Sequence, residues 1–487
     1  MGVLAFDLGA SSGRAVAGRL NCGLLTIEEI HRFSNIPVQL PGHLHWDILN
    51  LFREIKQGLL KSRSLGYPLQ SVAIDTWALD FGLIDRKGEL LGNPYHYRDG
   101  QTEGMMDQVF EVISREEIFS RTGIQFMPVN TLYHLFAMKR NRSHLLEQAD
   151  RFLMIPDLLR YFLTGEAYTE YTNATTTQLF HAGSRTWDTR ILGLLDIPAH
   201  LFGSIIQPAA FAGTVLPSIS KELSLPPLPV IAACEHDTAS AVVAVPTVDR
   251  DFAYISCGTW SLMGTELSEP LLSPKALGYN FTNEGGIGGT YRFLKNIMGL
   301  WILQECRRIW EQENKPFTFP DLIEAATHAR PLQAFIDPDH LTFLRPDHMP
   351  EQIMQYCRDT KQPVPHSEGE IVRCIMESLA LKYRMVLEMT EELTGKKFKG
   401  LHIVGGGSHN SMLCQFTANA IARPVWAGPA EATAIGNIIV QYMAHEQIGT
   451  VREAREIVKK SFPLVTYEPD DADEWNDAYA RYRSLIG

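Results

Sequence analysis

Apolar and polar positions in the N-terminal part of the chain predict strands joined by tight turns. VLAFDLG (3–9), RAVAGRL (14–20) and LLTIEEIHRF (24–33) are rich in strand-forming residues, and Gly-containing turns separate them. An amphipathic helical pattern follows over about 47–64, and the apolar segment SVAID (71–75) is again typical of a strand. Three strands, a helix and a strand indicate an α/β domain.

The middle of the chain is less regular. FGLID (81–85) predicts another strand, and residues 99–200 are predicted to be mainly helical. The Pro-rich segment 216–229 is interpreted as a connection that leads into the strand VIAAC (230–234).

The opening pattern returns about 250 residues later. The repeat consists of strand, Gly-centred turn and strand (251–267), a long helix (366–394), a strand ending in three glycines (400–407), a short strand (424–428) and a helix (431–445). The order β-β-β-α-β-α-β-α therefore occurs twice, although the two halves have little sequence similarity. We predict two related α/β domains, 1–245 and 246–487, that face each other across a ligand-binding cleft.

Length and composition narrow the class of protein. A chain of 487 residues is too long for one core, and 45% hydrophobic with 21% charged residues is typical of globular proteins. The formal charge of -12 argues against nucleic acid as the main partner, because phosphate binding needs basic surface. No apolar run of about 20 residues and no secretory signal are found. We expect a cytoplasmic protein that binds neither nucleic acid nor membrane; its oligomeric state is open, with a monomer slightly favoured.

The seven cysteines include no CxxC pair, as expected for reduced thiols. Cys357 and Cys374 flank residues 358–373 and could instead close a loop by a disulfide. Both interpretations stay open at this point.

Three glycine-containing turns suit phosphate or nucleotide binding. FDLGASSGR (6–14) and SCGTWS (256–261) each offer backbone N–H groups and hydroxyls after a strand, and HIVGGGSHN (402–410) lets a flat ring approach the backbone. The alternative for any one of them is an ordinary hairpin turn. Three such turns in this order favour a nucleotide site.

CEHDTASAVVAV (234–245) places Asp237 at the start of an apolar helical segment. The carboxylate could cap the helix, as Asp often does, or act as a base in a cleft lined by small side chains. Both roles are compatible with one position.

With these motifs the whole chain resembles the FGGY family of carbohydrate kinases, in the actin, Hsp70 and sugar-kinase superfamily. Within it the chain is most similar to the rhamnulokinases. The closer match rests on GASSGR, HWDI, IDTWALDFGLID, YRD, RTGIQFMPVNTLY, YTNATTTQL, HDTASAV, SCGTWSLMG, TNEGG, KNIMGLWILQE and AEATAIGN. This resemblance implies two RNase H-like domains with an interdomain active-site cleft.

The resemblance also implies an activity: ATP-dependent phosphorylation of L-rhamnulose at its 1-hydroxyl, giving L-rhamnulose 1-phosphate and ADP in L-rhamnose catabolism. Other FGGY substrates, namely L-fuculose, L-xylulose or glycerol, are alternatives. An actin- or Hsp70-like ATPase is the alternative from another class. The short segment after the last core helix disfavours a chaperone, which would carry a peptide-binding domain there.

Residue roles follow from the same resemblance. Asp237 matches the catalytic base, and His236 and Thr238 match sugar contacts. Ala78 stands where rhamnulokinases usually have a substrate-contacting glycine, so one methyl group is added at the sugar site. Asp7 is expected beside Mg²⁺, through water. The matched ATP-contacting positions are Ala10, Ser11, Ser12, Gly13, Arg14, Thr259, Asn296, Gln304 and Gly406.

The residues themselves leave some roles open. Asn296, Leu300 and Gln304 are spaced to share one helix face, where the two amides would meet a ligand or solvent. Trp77 and Asp80 suit a polyol, whereas packing of Trp77 in the core is nearly as well supported. His43 and His45 lack a third metal ligand and are interpreted as structural.

Overall fold

The computed structural model describes residues 2–66, 68–470 and 472–486 and shows a mixed α/β protein. Its strands are β1 (Gly2–Leu8), β2 (Ser12–Asn21), β3 (Leu24–Ser34), β4 (Val38–Leu40), β5 (His43–His45), β6 (Leu69–Thr76), β7 (Phe81–Ile84), β8 (Arg151–Met154), β9 (Thr169–Glu170), β10 (Phe180–His181), β11 (Thr186–Trp187), β12 (Ile205–Ile206), β13 (Phe211–Thr214), β14 (Pro229–Ile231), β15 (Ala253–Cys257), β16 (Trp260–Leu267), β17 (Thr282–Gly285), β18 (Tyr291–Met298), β19 (Leu401–Val404), β20 (Val425–Ala427) and β21 (Val465–Tyr467).

The α-helices are α1 (Ile48–Ser64), α2 (Met105–Phe110), α3 (Arg115–Thr122), α4 (Thr131–Arg140), α5 (His144–Gln148), α6 (Ile155–Thr164), α7 (Tyr171–Ala174), α8 (Thr189–Leu194), α9 (Pro217–Leu223), α10 (Asp237–Val243), α11 (Pro274–Gly278), α12 (Trp301–Gln312), α13 (Phe319–His328), α14 (Met349–Asp359), α15 (Glu368–Thr394), α16 (Ser411–Ile421), α17 (Ala432–Ala444), α18 (Val451–Ser461) and α19 (Ala472–Ile486).

The chain forms two compact units that are discontinuous in sequence. The first comprises Met1–Val248, Glu266–Phe293 and Ala432–Phe462, and the second comprises Asp249–Thr265, Leu294–Glu431 and Pro463–Gly487. The predicted division at 245/246 thus lies near the end of the first segment, but two later segments return to the first unit. The segment Ala432–Phe462 returns because α17 packs against β1, β6 and α10, and Glu266–Phe293 returns because β17 contacts α7 and α11 contacts α3.

The sheet of the first unit places the ends of its central strands together. Its order is β13-β14-β6-β1-β2-β3, with β1 parallel to β6 and antiparallel to β2. Every residue of β1 is buried, as its apolar sequence requires. Register sets Asp7 of β1 beside Asp75 of β6 on one side and Arg14 of β2 on the other.

Helices α10 and α17 of the first unit pack backbone to backbone where they cross. A Cβ atom at Gly436 of α17 would lie 1.8 Å from the carbonyl oxygen of Ser240 in α10. Only glycine allows this approach, so the glycine of AEATAIGN has a packing role.

The second unit repeats the strand pattern of the first. Here β15 is antiparallel to β16 and parallel to β19, which is parallel to β20. The predicted duplication of architecture is therefore confirmed at the level of strand pairing. The long helix α15 begins at a capping box formed by Ser367 and Glu370, close to its predicted start.

Residues 99–200 are mainly helical, as predicted, and the structure adds detail to two predictions about the middle of the chain. Residues 99–200 also contain the short strands β8 to β11, because this region forms small paired elements on the first unit. The connection 216–229 contains the helix α9, which starts at Pro217, where the absence of an N–H group is harmless.

Candidate active site

Carboxylates of the first unit gather where β1 and β6 end. Asp7 accepts two hydrogen bonds from Arg14, from Nη2 at 2.7 Å and from Nε at 3.0 Å. Asp75 is fully buried, and Asn437 of α17 donates to its Oδ2 at 2.6 Å. Burial raises the pKa of Asp75 well above its ordinary value, and the charges of Asp7 and Asp237 raise it further.

Asp237 is the first residue of α10, and its side chain is 29% exposed. The N-cap residue of α10 is His236, so the carboxylate of Asp237 does not serve as the N-cap of this helix. Thr238 Oγ1 donates to Asp237 Oδ1 at 3.1 Å, and His236 Nε2 lies 3.4 Å from the same oxygen. Burial raises the pKa of Asp237, and the nearby charge of Asp7 adds to the shift.

Buried polar groups hold the segment before Asp237. The main-chain N–H of Thr76 donates to the carbonyl of Glu235 at 3.0 Å. The N–H of Glu235 donates to Glu170 at 3.2 Å, and the N–H of His236 donates to Thr172 Oγ1 at 3.2 Å. The backbone that leads into Asp237 is therefore attached both to the end of β6 and to α7.

The sequence did not single out three residues that support this segment, namely Arg160, Glu170 and Thr172. Arg160 is buried and donates to Glu235 at 2.7 Å and to Asp157 at 2.8 Å. Burial raises the pKa of Glu170 to about 8, with the charge of Glu235 adding to it. The motif YTNATTTQL was a usable signal, because it contains Thr172 and follows Glu170 directly.

Two of the positions predicted to contact the sugar, His236 and Ala78, lie near the end of β6. Thr76 forms an isolated bridge with His236, and Ala78 follows two residues later, partly exposed. Trp77 is only 6% exposed, and its ring centroid lies 4.2 Å from that of Trp46. The structure thus supports core packing for Trp77.

Asp80 contacts both of these Trp rings. Its Oδ2 accepts hydrogen bonds from Trp46 Nε1 at 2.5 Å and Trp77 Nε1 at 2.8 Å. Burial raises the pKa of Asp80 to about 7, although these indole hydrogen bonds oppose the shift. Asp80 therefore holds the two indole rings in place, which favours a structural role over a direct contact with a polyol.

The first glycine turn joins β1 to β2. The N–H of Gly9 donates to the carbonyl of Ser12 at 2.9 Å, and Asn35 Nδ2 donates to the carbonyl of Gly9 at 2.9 Å. Ser11 is exposed, whereas Gly13 packs so closely on Phe33 that a Cβ would lie 2.3 Å from its ring. The turn is thus rigid at its base and presents its tip, Ala10 to Ser12.

In the second unit, the SCGTWS turn and α12 bring two predicted residues together. Thr259 Oγ1 donates to Gln304 Oε1 at 3.3 Å, and the N–H of Trp301 donates to the carbonyl of Thr259 at 3.0 Å. The start of α12 is therefore attached to the turn.

The predicted shared helix face of Asn296 and Gln304 was wrong. Asn296 lies on β18, and α12 begins only at Trp301. The break falls at Gly299, where a Cβ would lie 2.6 Å from Ser261 Oγ, so the chain must turn close against the neighbouring strand.

The triple glycine follows β19 as expected. Gly405 has a φ of 84°, which glycine adopts without strain, and Gly407 packs on Cys257. A Cβ at Gly406 would meet no described atom within 4 Å. Its face is therefore open in this unit, as a flat ring would need.

Asp7 and Asp75 fit a hydrated Mg²⁺ ion. Carboxylate oxygens are ligands that Mg²⁺ or its bound water prefers, and Asp75 Oδ1 is buried without a hydrogen-bond partner among the described residues. Within those residues no group of three His, Cys, Asp or Glu could enclose a metal directly. Contacts through water suit this set of donors.

Other features lie apart from this chemistry. His43 Nδ1 contacts Asp99 at 3.1 Å and His45 Nδ1 contacts the carbonyl of Asn93 at 3.0 Å, so both have structural partners. Cys357 and Cys374 are free thiols. Among the described helices, none has the length and apolar character required to cross a membrane.

Comparison with known sequences assigns the chain to a family. The model of the N-terminal domain of the FGGY family of carbohydrate kinases matches residues 2–244, and that of the C-terminal domain matches residues 253–445. A rhamnulokinase from Bacteroides thetaiotaomicron is 45% identical over 482 residues, covering 99% of both chains. A rhamnulokinase from Bacillus subtilis is 42% identical over 469 residues, covering 96% of both.

Solved structures show the same fold at low identity. A ligand-bound xylulose kinase from Lactobacillus acidophilus superposes with a TM-score of 0.79 at 16% identity, covering 100% of this chain and 96% of that one. Plasmodium falciparum glycerol kinase with ADP gives a TM-score of 0.79 at 14% identity, covering 100% and 97%. The architecture is therefore one that several sugar and polyol kinases share.

Proposed function

This chain belongs to the FGGY family of carbohydrate kinases, and we propose that it transfers the γ-phosphoryl group of ATP to the 1-hydroxyl of L-rhamnulose. The products are L-rhamnulose 1-phosphate and ADP, which places the reaction in L-rhamnose catabolism. Rhamnulokinases 42% and 45% identical over nearly the whole chain support this choice of sugar.

The observation that carries the reaction type is the environment of Asp237. Its carboxylate is partly exposed, lies beside His236 and Thr238, and has a raised pKa because of burial. A raised pKa makes a carboxylate a better proton acceptor, which is the property required of a general base. Asp237 accepts the proton of the sugar 1-hydroxyl as that oxygen attacks phosphorus.

Sugar recognition falls to the residues around this base. His236 and Thr238 flank Asp237, and Ala78 follows the end of β6 that pairs with His236. The methyl group of Ala78 narrows the space for the sugar relative to a glycine. The side chains of His236 and Thr238 supply polar contacts for the hydroxyl groups.

Nucleotide binding is assigned to the glycine-containing turns 6–14, 256–261 and 402–410. Phosphoryl transfer depends mainly on positioning and on stabilising the negative charge of the phosphates, which backbone N–H groups, hydroxyls and Arg14 can supply. Bound Mg²⁺, held through water by Asp7 and Asp75, would neutralise phosphate charge. The assigned ATP contacts are Ala10, Ser11, Ser12, Gly13, Arg14, Thr259, Asn296, Gln304 and Gly406.

We also propose a cytoplasmic location. ATP is the phosphoryl donor, and the cysteines are free thiols, as is usual in a reducing compartment.

A substrate panel tests the proposal. ADP release is followed with L-rhamnulose, L-fuculose, L-xylulose, glycerol or no acceptor, and the product is identified by ³¹P and ¹³C NMR. We expect the highest kcat/KM for L-rhamnulose and a phosphate ester at carbon 1. A higher kcat/KM for another acceptor would assign that substrate instead, and ADP release independent of any acceptor would support an ATPase.

A further inference from the structure

We propose that Arg292, supported by Glu284, holds His236 as the tautomer protonated on Nε2, so that its imidazole donates a hydrogen bond to a sugar oxygen and cannot accept one there. Arg292 and Glu284 are thus positioning residues for the sugar site. The inference deepens the proposed function and rests on it for the identity of the sugar.

The side chains of Arg292 and His236 contact each other. Arg292 lies on β18 within the first unit, its side chain is fully buried, and its Nη2 is 3.0 Å from His236 Nδ1. A guanidinium group has only donors and keeps its protons throughout the accessible pH range. His236 Nδ1 must therefore accept, and the proton of the neutral imidazole resides on Nε2.

Glu284 does not reverse this assignment. Its Oε2 lies 3.0 Å from Arg292 Nη1 and 3.4 Å from His236 Nδ1, so the shorter approach is to the guanidinium. A proton on Nδ1 would point toward Glu284 only by opposing the N–H of Arg292 at 3.0 Å. Glu284 instead balances the buried positive charge of Arg292.

Arg292 and His236 are both fixed by further contacts. Arg292 Nε donates to the carbonyl of Gly285 at 2.8 Å. The main-chain N–H of His236 donates to Thr172 Oγ1, whose hydroxyl donates to Glu170 at 2.6 Å. The imidazole therefore has a defined position as well as a defined tautomer.

The second ring nitrogen of His236, Nε2, lies on the side of Asp237, and 6% of the His236 side chain is exposed. Nε2 lies 3.4 Å from Asp237 Oδ1, which is longer than an ordinary charge-assisted hydrogen bond. A sugar oxygen placed there would receive the Nε2 proton, while Asp237 accepts the proton of the reacting hydroxyl. The site then has one donor and one acceptor with separate tasks.

This arrangement explains two motifs that otherwise have no role. TNEGG supplies Glu284 and Gly285, and YTNATTTQL supplies Thr172 as well as Thr175, which accepts from the N–H of Gly285 at 2.8 Å. Both segments surround His236, although they lie more than 40 residues from it in sequence.

The direct test is ¹⁵N NMR of the full-length protein carrying imidazole-¹⁵N histidine, without sugar or nucleotide. His236→Gln identifies the resonance. We expect an unprotonated, pyridine-like shift for Nδ1 and a protonated, pyrrole-like shift for Nε2. The reverse assignment would overturn the proposal.

A matched pair of variants tests the consequence for the sugar. The amide nitrogen of Gln falls near the position of imidazole Nε2, whereas the side-chain amide of Asn falls near Nδ1. His236→Gln should retain a donor toward the sugar and therefore have a sugar KM several-fold lower than that of His236→Asn. Equal values, or a lower KM for the Asn variant, would contradict the inference.

The role of Arg292 is tested with Arg292→Met combined with Glu284→Gln, which removes both charges together. We expect the ¹⁵N spectrum of His236 to show tautomer exchange and the sugar KM to rise about tenfold, as for the loss of one well-placed hydrogen bond. The ATP KM should change less than about twofold. Unchanged His236 resonances in the folded variant would show that the pair has no positioning role.

The tests separate this inference from the proposed function. The wild-type tautomer is measured without substrate, so it stands or falls whichever sugar is phosphorylated. Conversely, preference for another ketose in the substrate panel would change the proposed function while leaving the ¹⁵N result intact. If the double variant does not fold, the wild-type spectrum and the His236 pair still decide the matter.

Discussion

Asp237 and Asp80 are two carboxyl groups of the first unit whose surroundings direct them to different tasks. Asp237 keeps 29% of its side chain exposed, and Thr238 Oγ1 donates to its Oδ1, so part of the carboxylate remains accessible. Asp80 is 3% exposed and accepts from two indole N–H groups, so its hydrogen-bonding capacity is used in packing. At the scale of residues, exposure separates the carboxylate proposed as the base from the one that packs against two Trp rings.

Asp237→Asn should abolish most turnover while keeping the fold. General-base catalysis is worth about 10² to 10⁴-fold, so kcat should fall by at least about 100-fold. ATP affinity, measured by calorimetry, should change less than a few-fold. The melting temperature should hold or rise slightly, because the charge of Asp237 is unfavourable beside Asp7 and Asp75.

The control for that variant is Asp196→Asn. Asp196 is 85% exposed and has a φ of 54°, which Asn tolerates well. It should retain wild-type kinetics. Wild-type kcat in the folded Asp237→Asn protein would rule out the base.

Asp80 should make stability depend on pH. Its pKa is raised to about 7 in the folded protein, against an ordinary value of 3.8. Between these values the folded protein holds a proton that the unfolded chain has lost, so stability falls as pH rises from about 4 to about 7. The shift corresponds to a few kcal/mol in order of magnitude.

Asp80→Asn should remove this contribution. The melting temperature of the variant minus that of the wild type, measured from pH 5 to pH 8, should therefore increase as pH rises. A difference that stays constant over this range would show that Asp80 is ionised in the fold throughout.

At the scale of elements, the crossing of α10 and α17 connects the helix that begins at Asp237 to the sheet. Helix α10 starts with Asp237, and α17 carries Asn437, which donates to Asp75. Gln441, one turn further along α17, donates to Asn437 Oδ1 at 2.9 Å and orients that amide. One helix pair therefore positions both Asp237, the proposed base, and the buried carboxylate of Asp75.

Gly436→Ala should disrupt this crossing. The added methyl group would lie 1.8 Å from the carbonyl oxygen of Ser240, so the helices must separate. Overpacking of this kind costs about 1–3 kcal/mol, and kcat should fall as Asp237 moves. Gly193→Ala in α8 is the matched control, because its Cβ would meet no described atom within 4 Å, and helix propensity favours alanine. Equal melting temperatures for the two variants would contradict the packing argument.

At the scale of the whole molecule, the chain order and the compact units do not coincide. Residues 266–293 supply β17, with Glu284, and residues 432–462 supply α17 and α18 to the first unit. The site of the first unit therefore depends on three separate stretches of chain. Folding of this unit requires contacts between residues more than 350 positions apart, such as Asp75 and Asn437.

A fragment of residues 1–248 should consequently fail to form a stable fold. It would expose the faces of β1, β6 and α10 that α17 covers. We expect aggregation, or the absence of a cooperative thermal transition by circular dichroism. Co-expression with residues 249–487 is the control, since that fragment supplies the missing segments. Cooperative melting of the isolated fragment would refute the expectation.

Much of the fold was predictable because its signals are local. Periodicity identified β1 to β3, α1 and α15 nearly to their ends, and glycines marked the turns after β1, β15 and β19. Spacing failed for Asn296, which continues a strand until Gly299 turns against its neighbour. The residue spacing there matches a helix, but pairing with a neighbouring strand determines the observed conformation.

The sequence by itself determined the repeated α/β order, the turn motifs and, through family resemblance, the identity of Asp237 as the catalytic candidate. Tertiary structure alone decided which distant groups meet: Arg14 with Asp7 through strand register, Asn437 with Asp75, and Arg292 with His236. The physical reason is that backbone hydrogen bonding follows local spacing, whereas the partner and tautomer of a buried side chain depend on which elements pack together.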